Sequence, residues 1–277
     1  MANPVVILTL HHVHPGRDRL TVPPELFDTA LTMIRRRRRI IAYDRFKQWM
    51  AGEAPVPAGC VLLTFDDGYL DNYLHAFPIL QRHAAAALIF PITGLVAESD
   101  RYRQQMPAMD HKALLAARDP AGFLNTAEIR AMHASGLVDV ASHSVSHLYF
   151  RGIEAAAMRA EFDASLAFIR QMGCETAPHG FCWPGGQFDD EALAAIRQSP
   201  YELAFSTVDG PWRRGDDPYT IRRVDVSSYS GDPADYLARL RKKLFIYGTP
   251  VVGHWYSGFK ALRSVAGRRL SALFRGR

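Results

Sequence analysis

The chain has 277 residues, 48% of them hydrophobic and 22% charged, proportions that fit a soluble globular protein with a large core and exclude a disordered one. Its cysteines, Cys60, Cys174 and Cys182, are odd in number and show no C-x-x-C spacing, which argues against both a disulfide framework and a thiolate zinc site. The net charge of +5 is concentrated at residues 35–39 and in the last nineteen residues, and no run approaches the roughly 20 apolar residues that cross a bilayer.

The N-terminus carries no basic n-region and no cleavage-like segment, so the expected location is the cytoplasm. Strand-like and helix-like segments then alternate. A strand is expected at 5–10, a helix at 24–34, a strand at 61–65 and a helix at 70–82. A strand at 86–91, a helix at 127–134, a strand at 138–141 and a helix at 155–172 follow. Further strands are expected at 180–183, 202–206, 220–226 and 250–253, separated by helices at 191–197 and 233–244. Such alternation predicts parallel βα units in an α/β fold of one domain. Asn125 with Glu128 has the pattern of a capping box, and Asp232 followed by Pro233 that of a helix start. Residues 94–123 are polar and irregular and read as a lid or substrate loop.

Residues 259–277 place Phe259, Leu262, Ala266, Leu270 and Leu273 at helical spacing beside Lys260, Arg263, Arg268, Arg269 and Arg275. This tail reads as a basic amphipathic helix, suited either to an anionic membrane surface or to packing on the domain with a solvated basic face.

The chemistry is concentrated at strand ends. Thr64-Phe65-Asp66-Asp67-Gly68 sets two adjacent acids after an apolar run, where α/β folds keep their sites. Neighbouring acids on an extended strand point to opposite faces, so both reach one site only where the strand ends and twists. One can then bind a cation while the other stays free as a base; the bland alternative is a simple Asp-Gly turn.

His143-Ser144-Val145-Ser146-His147 supplies imidazoles four residues apart, which face one point if the segment turns helically, with the serines available to fix the ring tautomers. Two histidines and a carboxylate make a facial metal set. His254 follows the expected strand 250–253 and is a candidate general acid, while His11 and His12 read as pocket lining. In the turn at Trp183-Pro184-Gly185-Gly186 the indole can stack on a sugar or be buried, and the glycines allow close backbone approach.

In their order along the chain, these motifs resemble the polysaccharide deacetylases of the NodB-homology family, carbohydrate esterase family 4. The opening Leu10-His11-His12-Val13 is similar to that family's Tyr-His-x-Val start. The resemblance covers residues 5–256 and implies a distorted (β/α)7 barrel over 1–258 with 259–277 as an appended tail. It implies a divalent metal, most often zinc, held by Asp67, His143 and His147, with Asp66 as general base and His254 as general acid. Tyr69, through its backbone N–H at the oxyanion, with Trp183, Pro184, Gly185 and Gly186, would meet a carbohydrate substrate carrying N-acetylated amino sugars, and no nucleic-acid partner is expected. Many members carry an arginine two residues before the third-motif proline, where this chain has Cys182. Arg223 is the candidate substitute for orienting the base, and Asp209 or Asp225 for supporting the acid.

The competing classes are a formyl or O-acetyl deacylase acting on a lipid-linked sugar at the inner membrane surface, a metal-dependent phosphoesterase, and a catalytically silent carbohydrate-binding barrel.

Overall fold

The computed structural model describes residues 4–16, 18, 20–107, 110–174 and 179–249; the expected strand at 250–253, His254 and the tail 259–277 lie outside them. Strand β1 (Val6–Leu10) leads into a small parallel pair, β2 (His12–Val13) with β3 (Thr21–Val22). Six further strands complete the main sheet with β1: β4 (Val61–Asp67), β5 (Ala87–Pro91), β6 (Val138–Val140), β7 (Gly180–Cys182), β8 (Leu203–Asp209) and β9 (Ile221–Asp225). This sheet is parallel throughout, in the order β6-β5-β4-β1-β9-β8-β7.

The two edges meet just beyond the short β6, where the Ser142 amide donates to the Gly180 carbonyl at 3.1 Å and the Cys182 amide to the Ser142 carbonyl at 2.8 Å. A single bridge at this seam makes the architecture a distorted (β/α)7 barrel, as the family resemblance implies, built from the parallel βα units that the alternation of elements predicts.

Side-chain alternation divides the apolar residues between two layers. Val6, Leu8 and Leu10 of β1 and Val61, Leu63 and Phe65 of β4 face the outer helices, whereas Val5, Ile7 and Leu62 face the barrel interior. The outer layer packs on α1 (Pro24–Arg35). At the barrel floor, α2 (Tyr43–Ala51) buries Phe46 and Trp49 against Trp212. Each such large side chain contributes about 1.5–3 kcal/mol by leaving water. Helix α2 lies in a stretch where no element was expected, because its apolar face is set by three aromatics rather than an aliphatic repeat.

The expected helix at 70–82 is instead a π turn, Asn72–Ala76, running into α3 (Phe77–Arg82). Pro78 has no amide to bond back to Leu74, and the turn before it widens. The insertion holds a helix, α4 (His111–Ala117), capped by the Asp110 carboxylate accepting from the Ala113 amide at 2.7 Å. Earlier in the insertion, the Arg103 guanidinium meets the fully buried Glu128 at 2.6 Å, and the described part of the insertion forms a wall.

Helix α5 (Thr126–Ala134) begins with the expected Asn125–Glu128 capping box. Helices α6 (Ala155–Gln171) and α7 (Asp190–Arg197) enclose an aromatic cluster behind β7, and α8 (Pro233–Gly248) starts at the Asp232 cap and packs beside α1.

Candidate active site

The acids at the end of β4 reach one mouth through a break in strand geometry. Alternation sends Thr64 and Asp66 into the barrel interior, and by the same rule Asp67 would point outward with Phe65. Asp67 instead adopts a φ of 69°, and Gly68 follows at 72°, which swings the Asp67 carboxylate back over the barrel. Asp tolerates this left-handed conformation better than most residues. Gly68 is required by space as well, since a Cβ there would lie 2.8 Å from Pro91.

On one side of the mouth, Asp67 Oδ1 lies 3.3 Å from His143 Nε2 and 3.4 Å from His147 Nε2. Their ligand atoms all fall within 4.8 Å of one another. Asp67 Oδ1 is buried and has no hydrogen-bond partner, an arrangement that costs about 1–3 kcal/mol or more unless a cation answers it. His143 donates from Nδ1 to the Cys182 carbonyl at 2.9 Å, which fixes its tautomer and aims Nε2 at the Asp67 oxygen. Burial lowers the His147 pKa to about 4, so its ring is neutral and free to ligate.

The segment 143–147 is an irregular loop rather than a helical turn, with Ser144 and His147 both at positive φ. Its serines do not touch the rings, contrary to the expectation from their position. Ser144 Oγ accepts the His147 amide at 3.0 Å. Ser146 Oγ donates at 2.6 Å to Glu161 of α6, whose carboxylate also accepts the amides of Val145 and Ser146 at 2.7 and 3.0 Å. Glu161 is thus a clamp on the histidine loop, and no short-range sequence pattern signals it.

On the other side, Asp66 is gripped by Arg223 from β9, with Nη1 to Oδ1 at 2.6 Å and Nη2 to Oδ2 at 2.8 Å. The guanidinium also donates to Thr64 Oγ1, the Ser206 carbonyl and Cys182 Sγ. Arg223 therefore occupies the space beside Cys182 where the expected third-motif arginine is absent. Burial raises the Asp66 pKa, but the attraction of Arg223 outweighs it and holds the carboxyl below its usual range. A second cluster, Asp66, His143 and Cys182, also brings three ligand types together. It is the poorer cation site, because both Asp66 oxygens are committed to Arg223 and burial pushes the Cys182 thiol up.

The mouth opens into a cavity of about 640 Å³. His11 lines it, with Nε2 4.0 Å from Asp66 Oδ2 and Nδ1 3.0 Å from Ser227 Oγ. His12 does not line it: its ring is buried against Asp71 at 2.6 Å. The rim includes Tyr149, 55% exposed and edge-on to His147, and His111, Lys112 and Arg118 from the α4 wall. Sequence inspection did not single these out, although the Asp110 cap was a legible signal for α4.

A profile for the polysaccharide deacetylase family matches residues 53–204, rather more than half of the chain. The chain belongs to the polysaccharide deacetylase family. Its members are hydrolases of carbon–nitrogen bonds other than peptide bonds. YxkH of Bacillus subtilis (strain 168), whose name places it among the polysaccharide deacetylases, is 26% identical over 80% of this chain and 71% of its own length. The poly-beta-1,6-N-acetyl-D-glucosamine N-deacetylase of Escherichia coli (strain K12) is 26% identical over 61% of this chain, a match that spans 28% of that longer protein. IcaB from Ammonifex degensii has the same fold, with a TM-score of 0.70 at 21% identity over 88% of this chain and 98% of its own. The Streptococcus pyogenes deacetylase PplD gives 0.69 at 20% identity, over 87% and 99%.

Several expected substrate contacts in the deacetylase are corrected by the structure. Trp183 is fully buried, stacked on Phe188 at 4.9 Å with its indole N–H donating to the Tyr219 carbonyl, so it is a core residue and offers no sugar platform. Pro184 is buried beside it. Gly186 packs on Thr207, leaving no room for a Cβ, and Gly185 alone of this turn lines the cavity, beneath Tyr149. The Tyr69 side chain lies below the mouth, stacked on His12 at 3.8 Å and bonded to His111 Nδ1 at 3.0 Å. Asp225 faces a separate hollow beside α8 and accepts the Ser227 amide, while Asp209 accepts from the Tyr247 hydroxyl. No helix among the described residues is long and apolar enough to cross a membrane.

Proposed function

We propose that this chain is a metal-dependent deacetylase that removes N-acetyl groups from the amino sugars of a glycan. The observation that carries the reading is the buried Asp67 Oδ1, unpartnered and facing two imidazole Nε2 atoms at 3.3 and 3.4 Å. One carboxylate with two imidazoles suits a divalent ion that keeps open positions for water and substrate, zinc before others. Asp67, His143 and His147 would hold it. Such an ion, when bound, polarises a carbonyl and lowers the pKa of a water toward about 7.

Asp66 accepts the proton of the attacking water. Arg223 keeps that carboxylate ionised and aimed while leaving each oxygen a lone pair to accept with. A general acid must then protonate the departing amine. His254 is the family-based candidate and lies outside the described residues; His11 is the imidazole that faces the mouth, 4.0 Å from Asp66. Tyr149, exposed at the rim over Gly185, takes the stacking role first assigned to Trp183. The names of the curated relatives, one a poly-N-acetylglucosamine deacetylase, favour an N-acetylated polymer as substrate.

Acetate release from β-linked N-acetylglucosamine oligomers tests this. Activity should disappear on chelation and return with one equivalent of zinc per chain. Full turnover by chelated protein would remove the metal from the mechanism, and phosphate release from phosphoesters in place of acetate would move the site to another class.

A further inference from the structure

A second cavity of about 640 Å³ lies on the barrel's far end, between the last turn of α1 and the second half of α8. Its floor is apolar, from Met33, Ile34, Ala238 and Leu244, and its edge carries Phe245, 61% exposed. Around this floor stand Arg36, Arg37, Arg38, Arg241 and Lys242, with no acidic residue among the described residues that line the groove. Arg38 is tied down by donating to the Gly59 carbonyl at 2.8 Å. Arg36, Arg37, Arg241 and Lys242 are exposed, so their charges are turned outward.

Five cations gathered around apolar side chains repel one another unless an anion answers them. An occupant must therefore be anionic and must also offer apolar surface to the floor and to Phe245. The chain's own C-terminal segment does not meet the first requirement. It leaves α8 at Thr249 beside this groove, and residues 250–277 contain six arginines and lysines but no acid, so seating there would add to the repulsion. A bilayer rich in anionic lipid meets both requirements, with phosphates for the cations and acyl chains for the exposed phenylalanine.

We infer that the α1–α8 groove docks the protein on an anionic lipid surface. The groove sits by the start of β4, where the Val61 amide bonds the Arg39 carbonyl. Asp66 and Asp67 are at the other end of that seven-residue strand, about 20 Å away at the usual rise per residue. Docking here turns the catalytic mouth away from the lipid, toward a polymer in solution rather than a headgroup in the bilayer.

The test is co-sedimentation of the full chain with phosphatidylcholine vesicles, with and without about one-third phosphatidylglycerol. Binding is expected only with the anionic lipid and should weaken with salt. The double charge reversal Arg37→Glu/Arg241→Glu should lower partition at least tenfold, and Phe245→Ser severalfold, with both variants keeping the wild-type thermal midpoint and turnover of a short soluble oligomer. Wild-type binding that is absent, indifferent to lipid charge, or unchanged in the double variant would overturn the inference. So would binding to heparin but not to vesicles, which would assign the groove to a soluble polyanion.

Discussion

Asp66 and Asp67 are neighbours with almost equally buried carboxylates, at 4% and 3% side-chain exposure, yet the two sides of the mouth treat them in opposite ways. The β9 side surrounds Asp66 with a guanidinium and leaves no unanswered charge. The histidine side presents Asp67 with two imidazole Nε2 atoms at 3.3 and 3.4 Å, and leaves an oxygen with no hydrogen-bond partner. Burial costs a carboxylate several kcal/mol unless it is compensated, so the first side is complete as it stands, and the proposed cation would complete the second. One residue's left-handed backbone creates this division, because an extended strand would have placed the two acids on opposite faces of the sheet.

The comparison can be broken first at the proton donor. If His11 serves the Asp66 side, His11→Ala lowers acetate release by about 10²–10⁴-fold with metal content unchanged. If His254 is the acid, the same loss follows His254→Ala and not His11→Ala. Steady-state kinetics of the two variants, with metal analysis, separates them.

Arg223→Met attacks the β9 side directly. It leaves Asp66 buried without its counter-charge, which should cost about 3–5 kcal/mol and lower the thermal midpoint by on the order of 10 °C. In the wild type the folded pKa of Asp66 lies below the unfolded one. The ion pair's contribution is therefore full above about pH 4 and fades as pH falls through the folded value. In the variant, burial alone acts and raises that pKa. The deficit should be largest at neutral pH and shrink on acidification, which thermal unfolding across pH 3.5–7.5 would reveal. Equal deficits at every pH would mean that Arg223 matters only as packing.

The smallest expected effect concerns the loop that carries the imidazoles. Glu161→Gln removes the charged acceptor of three hydrogen bonds and should weaken zinc affinity about tenfold with little change in the pH dependence of stability. Competition with a chelating dye would measure it.

Much of this mouth was legible before the structure because its signals are local. An apolar run ending in Asp-Asp-Gly, the paired histidines and the strand carrying Arg223 each declare themselves within a few residues. What was not legible depends on long-range packing. Trp183 was as good a sugar platform as a core residue until Phe150, Phe162 and Phe188 closed around it. The Tyr69 ring lies beneath the mouth for a similar reason, stacked between His12 and Phe123, which leaves the role expected of its backbone N–H untouched. Glu161 and the α4 wall belong to the site only because α6 and the insertion fold back onto it. Helix α2 escaped because Tyr43, Phe46 and Trp49 bury one face of a single short helix, too few repeats for periodicity to register.

Bound zinc per chain, measured by atomic emission in Asp66→Asn and Asp67→Asn side by side, tests the division of labour most directly. The account predicts about one ion in the first variant with turnover largely lost, and none in the second. Equal loss of zinc in both would contradict it.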